Sequence, residues 1–242
     1  MRAAIVGGGG IAVALTEALL ARSDLLSLHC YSRQPPELAD ARLAHSYLDI
    51  GDEGAIAKAA SQPAEPFDLL IIATGTLHGS HNGRDYRPEK ALSQLHAESM
   101  SALFAINTIG PALVLRYFSN KMRRDGAAVM AALSARVGSI GDNRLGGWYS
   151  YRASKAALNM VIKCASIELA RRAGQLQVIG LHPGTVDTAL SQPFQAGVTP
   201  EKLFTPARSA VALLAVIDSV MSDTEQTHNG RCLAWDGTVI PE

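Results

Sequence analysis

AAIVGGGGIAVALTEALLA, residues 3–21, joins a short apolar run, four consecutive glycines and a segment rich in Ala and Leu. The run at 3–6 predicts a buried strand, because it is apolar without alternation and ends in glycine. The glycines predict a tight turn, and residues 11–21 predict a helix. A strand, a glycine turn and a helix in immediate succession are typical of the first unit of a parallel α/β sheet.

The same alternation of strand and helix continues along the chain. Apolar runs predict further strands at 25–31, 46–48, 67–73, 127–133, 176–181 and 231–234, and helical patterns lie at 55–60, 95–122, 148–172 and 206–221. Strands this short and apolar are buried on both faces, so helices must cover both sides of a parallel sheet. The sequence therefore predicts an α/β fold: one Rossmann-like, doubly wound domain over 1–242, with about seven strands. The segments 75–88 and 183–205 are predicted to be loops over a site.

The composition narrows the function classes. The 242 residues carry 22 basic and 22 acidic side chains, a formal charge of zero that argues against a nucleic-acid partner. The three cysteines, Cys30, Cys164 and Cys232, are too sparse for a disulfide framework and fit a reducing compartment. No apolar run approaches the roughly 20 residues of a membrane span, and no signal peptide is recognisable. We expect a cytoplasmic protein without a membrane segment.

The glycine turn predicts a dinucleotide site. Gly7, Gly9 and Ala12 match the pattern G-x-G-x-x-A. A turn without Cβ atoms lets a pyrophosphate approach the backbone N–H groups at the positive end of the following helix. The alternative is a plain glycine turn with no ligand.

The end of the second strand bears on which nicotinamide cofactor is bound. NAD-binding proteins usually place an acid there, to bond the ribose hydroxyls, but this chain has Ser32 and Arg33. A guanidinium fork suits a 2′-phosphate, so NADP is predicted, although Arg33 could equally be a solvated loop residue. Asp49, after the third strand, could accept from the adenine amino group or could cap the helix that starts near Asp52.

The segment WYSYRASKAALN, residues 148–159, contains a tyrosine and a lysine four positions apart. On a helix, Tyr151 and Lys155 share one face, about one turn apart. A free tyrosine has a pKa near 10, and a neighbouring cation would favour the phenolate. The pair could then exchange a proton with a carbonyl or an alcohol beside a hydride carrier. A surface helix pair is the alternative.

Taken together, these motifs resemble the short-chain dehydrogenase/reductase family over essentially the whole chain. The motifs that carry the resemblance are Gly7-x-x-Gly10-Ile11-Ala12, Asn107, Tyr151-x-x-x-Lys155 and Pro183-Gly184-Thr185-Val186-Asp187-Thr188. Residues 133–140 and 149–159 are similar to its C-factor/sniffer-like carbonyl reductase branch. The resemblance implies a Rossmann sheet, an NAD(P) cofactor and reversible carbonyl reduction.

Residue roles follow from the resemblance by position. Tyr151 would be the acid/base, while Lys155 would hold the nicotinamide ribose and lower the tyrosine pKa. Asn107 would kink its helix and bind a relay water; a buried amide with satisfied hydrogen bonds is the alternative. Val186 would face the carboxamide and Thr188 the phosphates. The full set predicted to bind the cofactor is Gly7, Gly9, Gly10, Ile11, Ser32, Arg33, Asp49, Ala73, Thr74, Gly75, Tyr151, Lys155, Pro183, Gly184, Val186 and Thr188.

The chain departs from the family pattern at three places. The glycine turn is one residue shorter than usual and ends in Ala12, and Ala73-Thr74-Gly75 stands where Asn-Ala-Gly is common. At the end of the fifth strand the family has a catalytic serine, but strict alignment places Ala135 there. The neighbouring Ser134 is the predicted replacement, with Ser139 as a second candidate.

We therefore expect an NADP-dependent oxidoreductase that interconverts a small carbonyl and an alcohol. Two alternatives remain: a protein that senses NAD(P) without turnover, and an epimerase or dehydratase that uses the same residues. His78 and His81 have no Cys or acidic ligand arranged with them, so no metal is predicted. Cys164 is predicted to be a core residue. The helix at 148–172 is apolar on more than one face, and the resemblance implies a homodimer or homotetramer through it and the 95–122 helix.

Overall fold

A computed structural model of the protein describes residues 1–81, 83–172 and 174–242. Seven parallel strands form its central sheet in the order β7-β6-β5-β4-β1-β2-β3. They are β1 Arg2–Val6, β2 Ser27–Ser32, β3 Leu43–Tyr47, β4 Leu69–Ile72, β5 Ala128–Leu133, β6 Leu176–His182 and β7 Cys232–Ala234. The predicted Rossmann-like α/β fold is confirmed.

The strand order reverses between β1 and β4. The chain moves outward from β1 through β2 to β3, then returns to β4 on the other side of β1. Ala3 pairs with Leu28 of β2 and with Leu69 of β4, so β1 is hydrogen-bonded on both edges. In doubly wound sheets, ligands bind in the crevice outside the carboxyl ends of the strands at such a reversal.

Helices cover both faces of the sheet, as the apolar strands require. They are α1 Gly10–Leu20, α2 Glu53–Ser61, α3 Ala97–Phe104, α4 Gly110–Phe118, α5 Tyr149–Ala170 and α6 Pro206–Ser222. One core lies between the sheet and α2, α4 and α5, where Ile56, Phe118 and Leu158 are fully buried. The other core lies under α1 and α6, around Leu15 and Leu213.

The long helix predicted at 95–122 is interrupted. Between α3 and α4 the backbone forms a π-helical turn, Ala105–Ile109, and Ser119–Lys121 ends the helix as a 3₁₀ turn. The whole stretch, Ala97–Lys121, has 25 residues and contains an 18-residue window with a mean hydropathy of 1.3, so length and composition alone would allow it to span a membrane. Half of that apolar window is buried inside the fold, where α4 packs into the core.

The two predicted loops contain short strands. Gly79–His81 pairs with Arg84–Tyr86 as an antiparallel ribbon, and Thr185–Val186 pairs with Leu203–Phe204. The side chain of His81 lies outside the described part of the structure. The prediction that Cys164 is a core residue was wrong, because its side chain is exposed on the outer face of α5.

Candidate active site

The glycine turn after β1 lies directly against the end of β4. Gly7 has φ +137°, a conformation that L side chains rarely adopt, and a Cβ there would come within 2.9 Å of the Ala73 carbonyl oxygen. A side chain would therefore strain the backbone and separate the two strand ends. The packing of the two strand ends therefore requires glycine at position 7, independently of any bound ligand.

The next glycines open the start of α1. Gly9 occupies the N-cap position in extended conformation, and none of the described side chains caps the helix. A Cβ on Gly9 would meet nothing within 4 Å, whereas one on Gly10 would lie 3.1 Å from the Thr188 methyl group. The first N–H groups of a helix carry partial positive charge and lack partners within the helix. This cradle, with Ile11 in the first turn of α1 and Thr188 beside it, fits a pyrophosphate.

At the end of β2, the side chains of Ser32 and Arg33 have different surroundings. Ser32 is buried beneath Gly8, and its hydroxyl donates to the Gln34 carbonyl oxygen (2.5 Å) and lies 3.2 Å from His45 Nε2. Its hydroxyl is thus already engaged within the protein. Arg33, the next residue, is exposed at the carboxyl end of the strand, where its guanidinium is accessible to a ligand.

Asp49 does not cap α2. Asp52 does so, accepting from the Gly54 and Ala55 N–H groups, while Asp49 Oδ1 accepts from the Gly51 N–H at 2.9 Å. The alternative prediction, that Asp49 caps α2, was wrong, because the N-cap position of this helix lies three residues further along the chain, at Asp52. Its carboxylate remains partly exposed after β3.

The segment after β4 connects the cradle to the helices. The Thr74 hydroxyl is buried and has no hydrogen-bond partner among the described residues, which is unusual for a buried polar atom. A Cβ on Gly75 would lie 3.6 Å from Asn107 Oδ1 and 3.7 Å from Lys155 Nζ. A bound ligand with polar groups at this point would satisfy the Thr74 hydroxyl, so the residues present fit a dinucleotide.

Asn107 lies at the centre of the π-helical turn and is fully buried. Its Oδ1 accepts from the Thr76 N–H (2.8 Å), and its Nδ2 donates to the Thr76 carbonyl (2.9 Å) and to Ser154 Oγ (3.1 Å). The amide thereby ties the segment after β4 to α5. The predicted interruption of the helix at Asn107 is present, and π-helical turns are frequent at functional sites.

Tyr151 and Lys155 lie on the face of α5 that packs toward this segment. Lys155 is buried and its Nζ donates to the Leu133 carbonyl at the end of β5 (2.8 Å). Gly138 makes this approach possible, since a Cβ there would lie 2.8 Å from Lys155 Cβ. The ammonium is 5.9 Å from the centre of the Tyr151 ring, which also packs against Tyr86.

Burial shifts the pKa of both groups in the direction of their neutral forms. Desolvation raises the pKa of Tyr151 to about 12 and lowers the pKa of Lys155 to about 8. We expected Lys155 to lower the tyrosine pKa, but within the protein alone desolvation of the ring dominates. Tyr151 therefore holds its proton at neutral pH, as a proton donor must.

The Ser134 hydroxyl is bonded to a residue about two turns beyond Tyr151 on α5. The Ser134 hydroxyl donates to Asn159 Oδ1 at 2.6 Å. Asn159 lies eight residues beyond Tyr151 on α5, about 12 Å along the helix axis. Ser139 differs, because its hydroxyl accepts from the Asp142 N–H (3.0 Å) and keeps its own proton to donate, while Ala135 occupies the aligned position with a methyl group.

The loop after β6 approaches the cradle through Thr188. Gly184 has φ +80° and packs against the Phe204 ring, while Pro183 accepts from the Ser209 hydroxyl through its carbonyl (2.8 Å). Val186 is buried beside Phe204 in the short parallel ribbon. The predicted members of this loop thus flank the start of α1 along one edge.

Sequence reasoning missed a buried acid beneath this site. Glu89 is 4% exposed, and its carboxylate accepts hydrogen bonds from both the backbone N–H and the hydroxyl of Ser150, in the first turn of α5. Its carbonyl accepts from the Trp148 N–H. No local pattern could have revealed this contact, because Glu89 and Ser150 are 61 positions apart.

Comparisons with known proteins show the family and the fold. The family model for short chain dehydrogenases matches residues 2–198. C-signal of Myxococcus xanthus is 34% identical over 151 residues, which cover 62% of this chain and 83% of that protein. The carbonyl reductase Sniffer of D. melanogaster superposes with a TM-score of 0.81 at 20% identity, covering 100% of this chain and 99% of that chain. A short chain dehydrogenase from Burkholderia cenocepacia in complex with NADP has a TM-score of 0.73 at 25% identity, covering 90% and 84%.

Glu89→Gln tests the buried acid as the anchor of α5. An amide keeps the shape but loses one acceptor oxygen and the attraction of a negative charge to the helix N-terminus. We expect the free energy of unfolding, measured by urea denaturation, to fall by about 1–3 kcal/mol. Glu98→Gln, an exposed acid in the first turn of α3, is the matched control and should change it by less than about 0.5 kcal/mol. Equal losses in the two variants would contradict the assignment.

Proposed function

Because the chain belongs to the short-chain dehydrogenase family, we propose that it interconverts a small carbonyl compound and an alcohol, with NADP as cofactor and Tyr151 as the acid/base. The family model and the oxidoreductase relatives make this chain an NAD(P)-dependent enzyme. The observation that carries the proposal is the convergence of Tyr151, Lys155 and Asn107 on the sheet edge that also bears the glycine cradle. One segment after β4 links the cradle to the lysine. Its Ala73 packs against Gly7, and its Gly75 lies next to Lys155 Nζ.

The proton transfer is assigned to Tyr151. When bound, the reduced nicotinamide supplies a hydride, which is added to the carbonyl carbon. Tyr151 donates its proton to the carbonyl oxygen as the C=O π bond becomes an O–H bond. A phenol whose pKa is raised to about 12 holds that proton at neutral pH, so the proton is available to the carbonyl oxygen in the reductive direction.

Lys155 stabilises the phenolate that remains on Tyr151. Its ammonium carries three protons, of which one is donated to the Leu133 carbonyl, so two stay available for the ribose hydroxyls and for the phenolate. Desolvation lowers the pKa of Lys155 to about 8, so most of the population is cationic at pH 7. Asn107 positions the segment after β4 beside it. Ala135 has no hydroxyl and the Ser134 hydroxyl is donated to Asn159, so we assign polarisation of the carbonyl to the Tyr151 hydroxyl.

Tyr151→Phe tests this assignment. Removal of the hydroxyl leaves the ring packing in place but eliminates the proton donor, so we expect NADPH oxidation with a panel of aldehydes and ketones to slow by 10²–10⁴-fold. Binding of NADPH, measured by isothermal titration, should change less than threefold. A wild-type protein that binds nucleotide but turns over no carbonyl, or a variant with an unchanged rate, would contradict the proposed chemistry.

The preference for NADP rests on Arg33. Arg33 directly follows β2 and its guanidinium is exposed. Proteins that select NAD usually carry an acid at this point of the fold. A guanidinium can instead make a strong bidentate contact with a 2′-phosphate. The relative from Burkholderia cenocepacia, solved with NADP, supports the same cofactor.

Arg33→Ala should weaken NADPH binding by about 10-fold or more, because one charge-assisted contact is lost, and should leave NADH binding within twofold. Isothermal titration of both nucleotides measures the difference. Arg172→Ala, which removes an exposed arginine at the far end of α5, is the control. Equal weakening of both nucleotides would show that Arg33 acts on the fold and not on the phosphate.

We also propose a homodimer or homotetramer formed through the outer face of α5. Met160, Cys164 and Ile167 are spaced so that they share one helix face, and all three are exposed. Exposed apolar side chains in a row favour burial against a partner.

Light scattering should give a multiple of 25.6 kDa for the wild type and a lower multiple for Ile167→Lys. Val211→Lys, an equally exposed valine on α6, should leave the mass unchanged, and a monomeric wild type would refute the proposal.

A further inference from the structure

Three aromatic rings form a continuous row that begins beside Tyr151. Trp148 meets the Tyr151 ring edge-on at 6.2 Å between centroids and the Phe194 ring at 5.4 Å, and Phe194 lies 5.7 Å from the His78 ring. The rings come from three separate segments: the loop before α5, the 3₁₀ turn Gln192–Phe194 and the segment after β4. All of them are half-buried, so each keeps a face that a ligand could cover.

Trp148 is held in a conformation that few tryptophans adopt. Its backbone is left-handed (φ +52°, ψ +38°), and Gly146 and Gly147 before it are left-handed too. Hydrogen bonds at the Trp148 N–H, to Glu89, and at the Gly147 carbonyl, from Arg152 Nε, fix this turn. Glycine or asparagine would adopt the same backbone with less strain, so the indole itself is the feature that the turn presents.

Phe194 and His78 are fixed from the opposite side. The Ser191 hydroxyl donates to the Val186 carbonyl (2.5 Å), and Gln195 Nε2 donates to Ser191 Oγ (2.8 Å), which holds the turn that bears Phe194. His78 Nε2 lies 3.3 Å from the Ala189 carbonyl oxygen. The loops after β4 and after β6 are thus joined across the mouth of the site.

We propose that Trp148, Phe194 and His78 form the wall that binds the non-reacting part of the substrate, and that this part is a flat aromatic group. The inference rests on the proposed function, since it places the substrate carbonyl at the Tyr151 hydroxyl. Edge-to-face and stacked contacts favour planar rings over saturated rings of equal size.

The test uses two amides that cannot be reduced, so that binding is measured apart from turnover. Benzamide presents a planar ring and cyclohexanecarboxamide a saturated ring with the same number of carbons. The chain has two tryptophans, so Trp235→Phe leaves Trp148 as the single indole fluorophore. Each amide is titrated into this protein with saturating NADP, and the emission of Trp148 is followed.

We expect benzamide to shift the Trp148 emission saturably and to bind at least 10-fold more tightly than cyclohexanecarboxamide. Phe194→Leu and His78→Leu, each in the Trp235→Phe background, keep apolar volume but remove a ring. Each should weaken benzamide by about fivefold or more and cyclohexanecarboxamide by less than twofold. Tyr47→Leu, an exposed ring on β3, is the control and should change neither. Unchanged melting temperatures establish that the variants are folded.

Equal affinity for the two amides, or benzamide binding that survives both ring deletions, would overturn the aromatic wall. Failure of the proposed function has a different signature: no nucleotide binding by isothermal titration, or no carbonyl turnover by a protein whose Trp148 still discriminates between the amides. The two failures are therefore distinguishable.

Discussion

β1 and β4 lie side by side and in parallel, although the chain leaves β1 toward one edge of the sheet and leaves β4 toward the other. Their carboxyl ends therefore meet at a crevice that no crossover helix fills. The contact of Gly7 with the Ala73 carbonyl closes the bottom of this crevice, and a Cβ at Gly7 would force the two strands apart. The glycine cradle, the segment after β4 and the start of α1 all take their positions from that contact.

The second determinant is the interruption of the long helix at Asn107. An uninterrupted helix would direct this side chain along the ordinary helical face, whereas the π-helical turn inserts the amide between Thr76 and Ser154. Three elements that are distant in sequence are joined by one side chain, which is why a buried polar group is stable there. The buried Glu89 does the same for the first turn of α5, through Ser150.

The electrostatics of the site depend on packing more than on spacing. The four-position spacing of Tyr151 and Lys155 indicates proximity, and the structure agrees, with 5.9 Å between ammonium and ring centre. Spacing cannot indicate how much water remains around either group, and desolvation raises the pKa of the tyrosine instead of lowering it. Ser134 shows the same limitation, because a serine one residue from the aligned position faces Asn159 and not the site.

The sequence by itself determined the order of strands and helices, the parallel sheet, the glycine turn and the Tyr151–Lys155 face, because these follow from local periodicity and from short spacings. Only the tertiary structure decided that Asn107 lies in a π-helical turn, that Glu89 anchors α5 and that Trp148 meets Phe194. Those features join segments tens of residues apart, and nothing in either segment alone specifies its partner. Burial, the quantity that sets the protonation of the site, is likewise a property of the assembled fold.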